Sequence, residues 1–505
     1  MGQTSHVTRR FSRLDEAVVR RLASDISMAA RIGDCFALHG DLGAGKSTFA
    51  RAFIRQMAGD RDGALEVPSP TFTFVQTYET SPPVAHFDLY RVGDADELAE
   101  IGLEGALAEA ICLIEWPERA PSALPVDAIR LSLETCEDDA DLRDVTLDLP
   151  STIADRFDET LAARDFLDAH GAVDAYRTRL VGDASARRYE TVHDAAGDPQ
   201  RILMIAPKQP DGPPVRDGKP YSQLVHLAED IQPFVAIARL LSERGFRAPR
   251  IDAYDTARGF ILLEDLGREG VLDANREPDP IRYRAAVEAL AQLHATQWPD
   301  HVSVDGWTHR IAAFDADVFV LEAQLLPDWY LPSRDERAAA EYAAIIRALH
   351  AQLDETPATL LLRDFHSPNI IFDPAAEGTA RIGLIDFQDA LIGSPAYDLM
   401  SLIHDARVSV PTDLQDALLD HYCALRSADP GFDEANLRRD AAICSAQRNC
   451  KILGIFNRLN VRDGKPGYLA HVPRVEAYLA RSLDHPALRD LRAWFERNDL
   501  QLAST

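Results

Sequence analysis

The chain has 505 residues, 46% apolar and 27% charged, with a formal net charge of −28. It is too long for one ordinary hydrophobic core and too apolar for a disordered polymer, so two or three globular units are expected. Residues 1–150 carry 14 Lys/Arg against 26 Asp/Glu and the remainder is acidic too, which argues against the basic surface that tight, direct nucleic-acid binding requires.

Six cysteines without a CxxC pair suggest reduced usage and no zinc site. The N-terminus has no apolar signal core and no apolar run reaches membrane-span length, so a cytoplasmic protein is expected.

From residue 15 to 150, helix-like stretches (DEAVVRRLASDISMAARI, STFARAFIRQMA) alternate with short apolar runs (DCFALHG, PVAHFDLY, AICLIEW, AIRLSLE, DVTLDLP). That alternation predicts an α/β sheet with helices on its faces. Between the first such strand and its helix lies HGDLGAGKSTFA, in which Gly40, Gly45, Lys46 and Ser47 satisfy GxxxxGK[ST]. Phe49, Phe53, Ile54 and Met57 then recur on one helical face, the context a phosphate-binding loop needs.

Such a loop wraps so that backbone N–H groups and the helix N-terminus face phosphate oxygens. Gly40, Asp41, Gly43, Ala44, Gly45, Lys46, Ser47 and Thr48 are therefore the expected nucleotide-binding residues. Lys46 neutralises phosphate charge and the Ser47 hydroxyl is a candidate Mg²⁺ ligand. Glu115 and Asp88 close two apolar runs, where a carboxylate beside the metal is expected.

With SPTFTFV (69–75), HFDLYR (86–91) and CLIEWPE (112–118) following in order, residues 14–150 resemble the TsaE family, the small ATPase of bacterial tRNA threonylcarbamoyladenosine biosynthesis. The resemblance implies that the loop holds ATP, that Ser47 and Glu115 hold Mg²⁺, and that Asp88 and Thr71 belong to the catalytic or switch region. It also implies a TsaB/TsaD-type protein complex as partner, which suits an acidic domain. Ser47 stands where that family often has Thr, keeping the hydroxyl.

After LDLP the pattern turns helical (TIADRFDETLAARDFLDAHG), placing a junction at 151–164 between domains 1–150 and 165–505. The second domain opens with strand-like segments, passes a Pro/Gly/Asp-rich stretch (KQPDGPPVRDGKP) expected to be a solvent loop, and becomes mostly helical after FILLEDLG. A small sheet lobe followed by a helical lobe is implied.

LLLRDFHSPNIIFD and RIGLIDFQDA then set Asp364, Asn369 and Asp386 in the order D-x-x-x-x-N, strand, D-F. In phosphotransferases that share the protein-kinase layout, one Asp takes the acceptor hydroxyl's proton while an Asn and a second Asp hold Mg²⁺. Asp364 is thus the candidate base, and Asn369 and Asp386 the candidate metal ligands. Glu264 to Leu266 are candidates to meet adenine at the hinge.

These motifs, with GDASARRYE and DFQDALIGSPAYDL, resemble the aminoglycoside phosphotransferase-like kinases and, more narrowly, the AmgK family. The resemblance implies a two-lobed protein-kinase-like fold and anomeric phosphorylation of N-acetylmuramate or N-acetylglucosamine. Two departures stand out. Leu362 replaces the usual His of the catalytic loop, and the usual strand lysine is missing: Met204 stands near its place, Lys208 lies in or near the loop, and Arg187 or Arg188 could reach phosphate instead. Alternatives are a kinase of another small hydroxyl compound, a catalytically silent C-terminal scaffold, and an N-terminal module that binds partners according to its nucleotide.

Overall fold

The computed structural model describes residues 5–60, 63–92, 102–180, 187–194, 196–331 and 335–503. Of GDASARRYE, the part up to Ala186 lies outside the described residues. The chain divides into two compact units, Met1–Met204 and Ile205–Thr505.

The first unit is built on a seven-stranded sheet of order β1-β7-β6-β2-β5-β4-β3. Its strands are β1 (His6–Leu14), β2 (Cys35–His39), β3 (Val75–Tyr78), β4 (Val84–Asp88), β5 (Ile111–Glu115), β6 (Ile129–Cys136) and β7 (Asp139–Pro150). The central strands β2, β4 and β5 run parallel, and β2 also pairs in parallel with β6. Buried on both faces, β2 and β5 read as continuous apolar runs.

Helices α1 (Glu16–Ala29), α2 (Lys46–Ala58), α3 (Leu103–Glu109) and α4 (Ala154–Ala169) accompany this sheet. One apolar cluster joins Phe36 of β2, Phe53 of α2 and Phe157 of α4, and a second joins Cys35, Phe87, Cys112 and Ile114. The Phe36 ring meets Phe53 and Phe157 edge-on at 5.2 and 6.0 Å, contacts each worth about 0.5–1.5 kcal/mol beyond their buried area.

The expected junction is structured: most of 151–164 lies in α4, which packs against α1. Beyond it come β8 (Tyr176–Leu180), β9 (Arg188–His193) and β10 (Pro199–Ile205). Asp25 of α1 receives Arg164 of α4 at 2.8 Å and Arg177 of β8 at 2.7 Å, and Arg177 also reaches Glu190 at 3.2 Å. Burial alone would raise the Asp25 carboxyl, but the two guanidinium charges and their hydrogen bonds outweigh it and hold it below the usual range.

The second unit carries an exposed two-stranded pair, β11 (Pro214–Arg216) with β12 (Lys219–Pro220), within the Pro/Gly/Asp-rich stretch. Strands β13 (Ile251–Asp255) and β14 (Phe260–Glu264) pair antiparallel. Three further antiparallel pairs follow: β15 (His301–Val304) with β16 (Trp307–Arg310), β17 (Thr359–Leu361) with β20 (Leu391–Gly393), and β18 (Ile370–Phe372) with β19 (Ile382–Leu384).

The rest of this unit is helical: α5 (Tyr221–Leu224), α6 (Gln232–Glu243), α7 (Pro280–Ala295), α8 (Ala316–Ala323), α9 (Leu325–Trp329), α10 (Glu336–Leu353), α11 (Ala396–Ile403), α12 (Thr412–Arg426), α13 (Glu434–Asp463), α14 (Val472–Leu483) and α15 (Arg489–Arg497). The 30-residue α13 runs past α9, α11 and α14. At Gly454 a Cβ would lie 2.2 Å from the Leu325 carbonyl oxygen, so only glycine admits this approach. Among the described residues no helix is long and apolar enough to cross a membrane.

Candidate functional sites

In the first unit, β2 ends at His39 and the chain turns through Gly40–Gly45 into α2. Gly40 has φ 143°, and a Cβ there would lie 2.5 Å from the Leu133 carbonyl oxygen; Gly45 has φ 110°. Both positions require glycine. Arg143 of β7 braces the loop from outside, donating to the carbonyls of Ala44 at 2.9 Å and Gly43 at 3.3 Å. Asp41 is exposed, and Thr48 lies half-buried in the first turn of α2.

Lys46 donates to the carbonyls of Gly40 at 2.5 Å and Asp41 at 2.9 Å. Its ammonium also lies 3.7 Å from the centroid of the Trp116 ring. Burial lowers its pKa, against the pull of Glu115, Glu118 and Asp88. The parallel register sets Asp88 of β4 opposite Glu115 of β5, which in turn pairs with Leu38 of β2. Strand order therefore delivers both carboxylates beside the loop.

Glu115 is engaged at both oxygens. Ser47 Oγ donates to Oε2 at 2.9 Å, and His86 Nε2 lies 2.9 Å from Oε1. Asp88 Oδ2 receives the hydroxyls of Ser69 at 2.6 Å and Thr71 at 2.7 Å, and its Oδ1 receives the Tyr90 N–H at 3.0 Å. A hydroxyl beside a carboxylate is the hard-oxygen set that Mg²⁺ takes together with nucleotide phosphates and water.

In the second unit, β17 leads into the loop that bears Asp364. The N–H groups of Leu362 and Arg363 donate to the two carboxyl oxygens of Asp398 of α11, at 2.5 and 2.9 Å. Burial pushes the Asp398 carboxyl up to about 7, against the two N–H donors that favour its ionised form. Ser367 N–H donates to Asp405 at 2.8 Å. The loop is thus pinned at both ends by buried acids, and Arg363 holds a positive φ of 71° between them.

Asn369 Nδ2 donates to the Asp364 carbonyl at 2.9 Å and lies 3.4 Å from Asp386 Oδ2, while Gln388 donates to Asp386 Oδ1 at 3.0 Å. The ordered set expected from the sequence is therefore assembled in one place, and an amide oxygen beside a carboxylate fits Mg²⁺. Glu264 closes β14 and accepts the Arg250 N–H at 3.2 Å. Leu266 presses on Gly383, where a Cβ would meet its Cδ1 at 3.0 Å, three residues before Asp386.

Leu362 is buried and contributes its backbone to the Asp398 anchor, so the loop is fixed without the usual histidine. Met204 is buried on β10, Lys208 is exposed, and Arg188 pairs with Glu159 of α4. Arg187 is half-buried.

Sequence inspection assigned no role to His86, Ser69, Trp116, Arg143, Asp398 or Glu322. Glu322 of α8 is fully buried, takes Arg363 Nη2, and accepts Lys451 Nζ at 2.8 Å and Gln447 Nε2 at 3.4 Å. Burial would raise its carboxyl, but Arg363 and Lys451 hold it at about 2. Of these residues, His86 had a visible signal, two positions before Asp88 on one strand face. The others depend on contacts between distant segments.

Comparison with known proteins finds two families along the chain. Residues 14–144 match the family model "Threonylcarbamoyl adenosine biosynthesis protein TsaE", and residues 177–438 match "Phosphotransferase enzyme family". An N-acetylmuramate/N-acetylglucosamine kinase of Caulobacter vibrioides is 36% identical over 348 residues, 66% of this chain and 94% of that protein. A counterpart of Pseudomonas aeruginosa is 33% identical over 61% of this chain and 84% of its own length. The TsaE protein of Rickettsia bellii is 35% identical over 132 residues, 26% of this chain and 90% of that protein. The chain therefore belongs to two families joined end to end, the TsaE P-loop ATPases over its N-terminal part and, over the remainder, the phosphotransferase enzyme family in the branch of the N-acetylmuramate/N-acetylglucosamine kinases.

Proposed function

We propose that the chain is a bifunctional enzyme. Its catalytic domains are 1–150, an ATPase that supports N6-threonylcarbamoyladenosine formation at tRNA position 37, and 165–505, an ATP-dependent kinase of the anomeric hydroxyl of N-acetylmuramate and N-acetylglucosamine. Kinship to an N-acetylmuramate/N-acetylglucosamine kinase and to a tRNA threonylcarbamoyladenosine biosynthesis protein supports the two halves. The observation that carries the kinase half is the convergence of Asp364, Asn369 and Asp386 through the Asn369 amide.

In the kinase domain, Asp364 takes the proton of the acceptor hydroxyl as its oxygen bonds to the γ-phosphorus of ATP, ADP leaves, and the sugar 1-phosphate forms. Asn369 and Asp386 would hold Mg²⁺, which when bound neutralises phosphate charge. Glu264 and Leu266 would border adenine. In the ATPase domain, Gly40 to Thr48 would cradle the triphosphate, Lys46 would neutralise it, and Ser47 with Glu115 would hold the metal. Asp88 and Thr71 would organise the attacking water. A TsaB/TsaD-type complex would be the partner that receives this turnover.

The test uses the full-length protein with Mg-ATP and, in separate reactions, N-acetylmuramate and N-acetylglucosamine. An acid-labile sugar 1-phosphate that disappears in Asp364→Asn supports the kinase assignment; a product phosphorylated at another hydroxyl, or no product from either sugar, refutes it.

A further inference from the structure

Beside the Asp364 loop, on the side of α13, the positive charge is only partly neutralised. Arg363 and Lys451 share the single carboxylate of Glu322. Lys451 also lies 3.5 Å from the Tyr397 hydroxyl, and its ammonium is close enough to Asp364 to feel that carboxylate's charge. Arg363 immediately precedes Asp364 in the chain, so this charged cluster adjoins the candidate base.

Arg458 extends the same helix face. Gln447 and Lys451 both reach Glu322, and Arg458 is seven residues past Lys451, about two turns and ~10 Å along α13. Gly454 lies between them, pressed against Leu325, so the helix cannot easily slide or tilt away. Arg458 is half-buried, and its Nε is buried with no hydrogen-bond partner. No ion pair with a carboxylate forms at Arg458 among the described residues; the nearby Asp463 is taken by Arg462 at 2.7 Å.

Tyr221 of α5 ties the two regions together, because its phenol feels Glu322, Arg363 and Arg458. A partly desolvated guanidinium without a counter-charge is costly in the free protein and becomes favourable when an anion arrives. The two candidate acceptors differ in one respect: N-acetylmuramate bears a lactyl ether on O3 that ends in a carboxylate, whereas N-acetylglucosamine is neutral.

We propose that Arg458 is the specificity residue that receives the lactyl carboxylate of N-acetylmuramate, with the sugar lying along α13 between Lys451 and Arg458 and its anomeric hydroxyl at Asp364. This rests on the kinase assignment above. The guanidinium presents a planar fork to a carboxylate, which Lys cannot match.

The experiment measures kcat and KM of the full-length protein for N-acetylmuramate, its methyl ester and N-acetylglucosamine, in wild type, Arg458→Ala and Arg458→Lys. In Arg458→Ala the ratio of kcat/KM for N-acetylmuramate over N-acetylglucosamine should fall at least about 10-fold, through KM, with Arg458→Lys recovering part of it. Wild type should discriminate against the methyl ester, and Arg458→Ala should not. An unchanged ratio, equal loss for both sugars, or equal use of acid and ester by wild type would overturn the proposal. Failure of wild type to phosphorylate either sugar would instead refute the kinase assignment.

Discussion

His86 and Ser47 hold the two oxygens of one carboxylate, Glu115, at 2.9 Å each, the first from strand β4 and the second from helix α2. The Ser47 contact is the one a metal would join, so the His86 contact sets how Glu115 presents itself. Loss of an outer partner to a metal-binding group costs about 10–100-fold in metal affinity or activity. His86→Ala should therefore raise the Mg²⁺ concentration that half-saturates ATP hydrolysis by that order, measured as phosphate release in the presence of the partner complex. Ser47→Thr should leave it near wild type.

Among the described residues, the Asp398 carboxylate accepts hydrogen bonds from the backbone N–H groups of Leu362 and Arg363, in the loop that bears Asp364. Asp398→Ala removes the acceptor for the Leu362 and Arg363 N–H groups and frees the segment that carries Asp364. A displacement of about 1 Å in such a segment costs on the order of 100-fold in rate. The expected outcome is a fall of that size in kcat for sugar phosphorylation, with ATP hydrolysis by the N-terminal domain unaffected in the same preparation.

Glu322 pairs with two cations, the buried Arg363 and the half-buried Lys451. Glu322→Gln strands both and should cost about 3–5 kcal/mol of stability in the second unit, read from urea unfolding followed by tryptophan fluorescence. The carboxyl is held at about 2, below the usual range, so the stability it contributes is complete above about pH 5. That contribution is lost as pH falls through about 2, and Glu322→Gln should lack this part of the acid dependence.

Gly454 is fixed by contact. A methyl group there would overlap the Leu325 backbone, with 2.2 Å to the carbonyl oxygen. Gly454→Ala should lower stability by about 1–3 kcal/mol despite alanine's better helix propensity, because α13 must move from α9. Calorimetry of the full-length protein would register the shift as a lower unfolding temperature than that of the wild type.

The candidate site residues could be picked out because the chemistry expected of them depends on residue order. Gly40 to Ser47 form one contiguous loop, and Asp364, Asn369 and Asp386 fall within 23 positions. The strands beneath them were legible as apolar runs, since β2 and β5 are buried on both faces. β1 was not: HVTRRFSRL is mostly polar, and becomes a strand by pairing with β7 across some 140 residues of sequence. The supports of the sites were hidden for the same reason, because Glu322 meets Lys451 only after α8 and α13 have packed.

The burial of Asp25 bears on how reversible the fusion is. Both its partners, Arg164 and Arg177, come after residue 150, beyond the part that matches the ATPase family. A gene split that ended the first protein near residue 150 would leave a carboxylate inside α1 with neither guanidinium, at a cost of about 3–5 kcal/mol. The first enzyme therefore needs a stretch of chain past its family-matching part, at least through Arg177, for its first helix to keep a satisfied carboxylate.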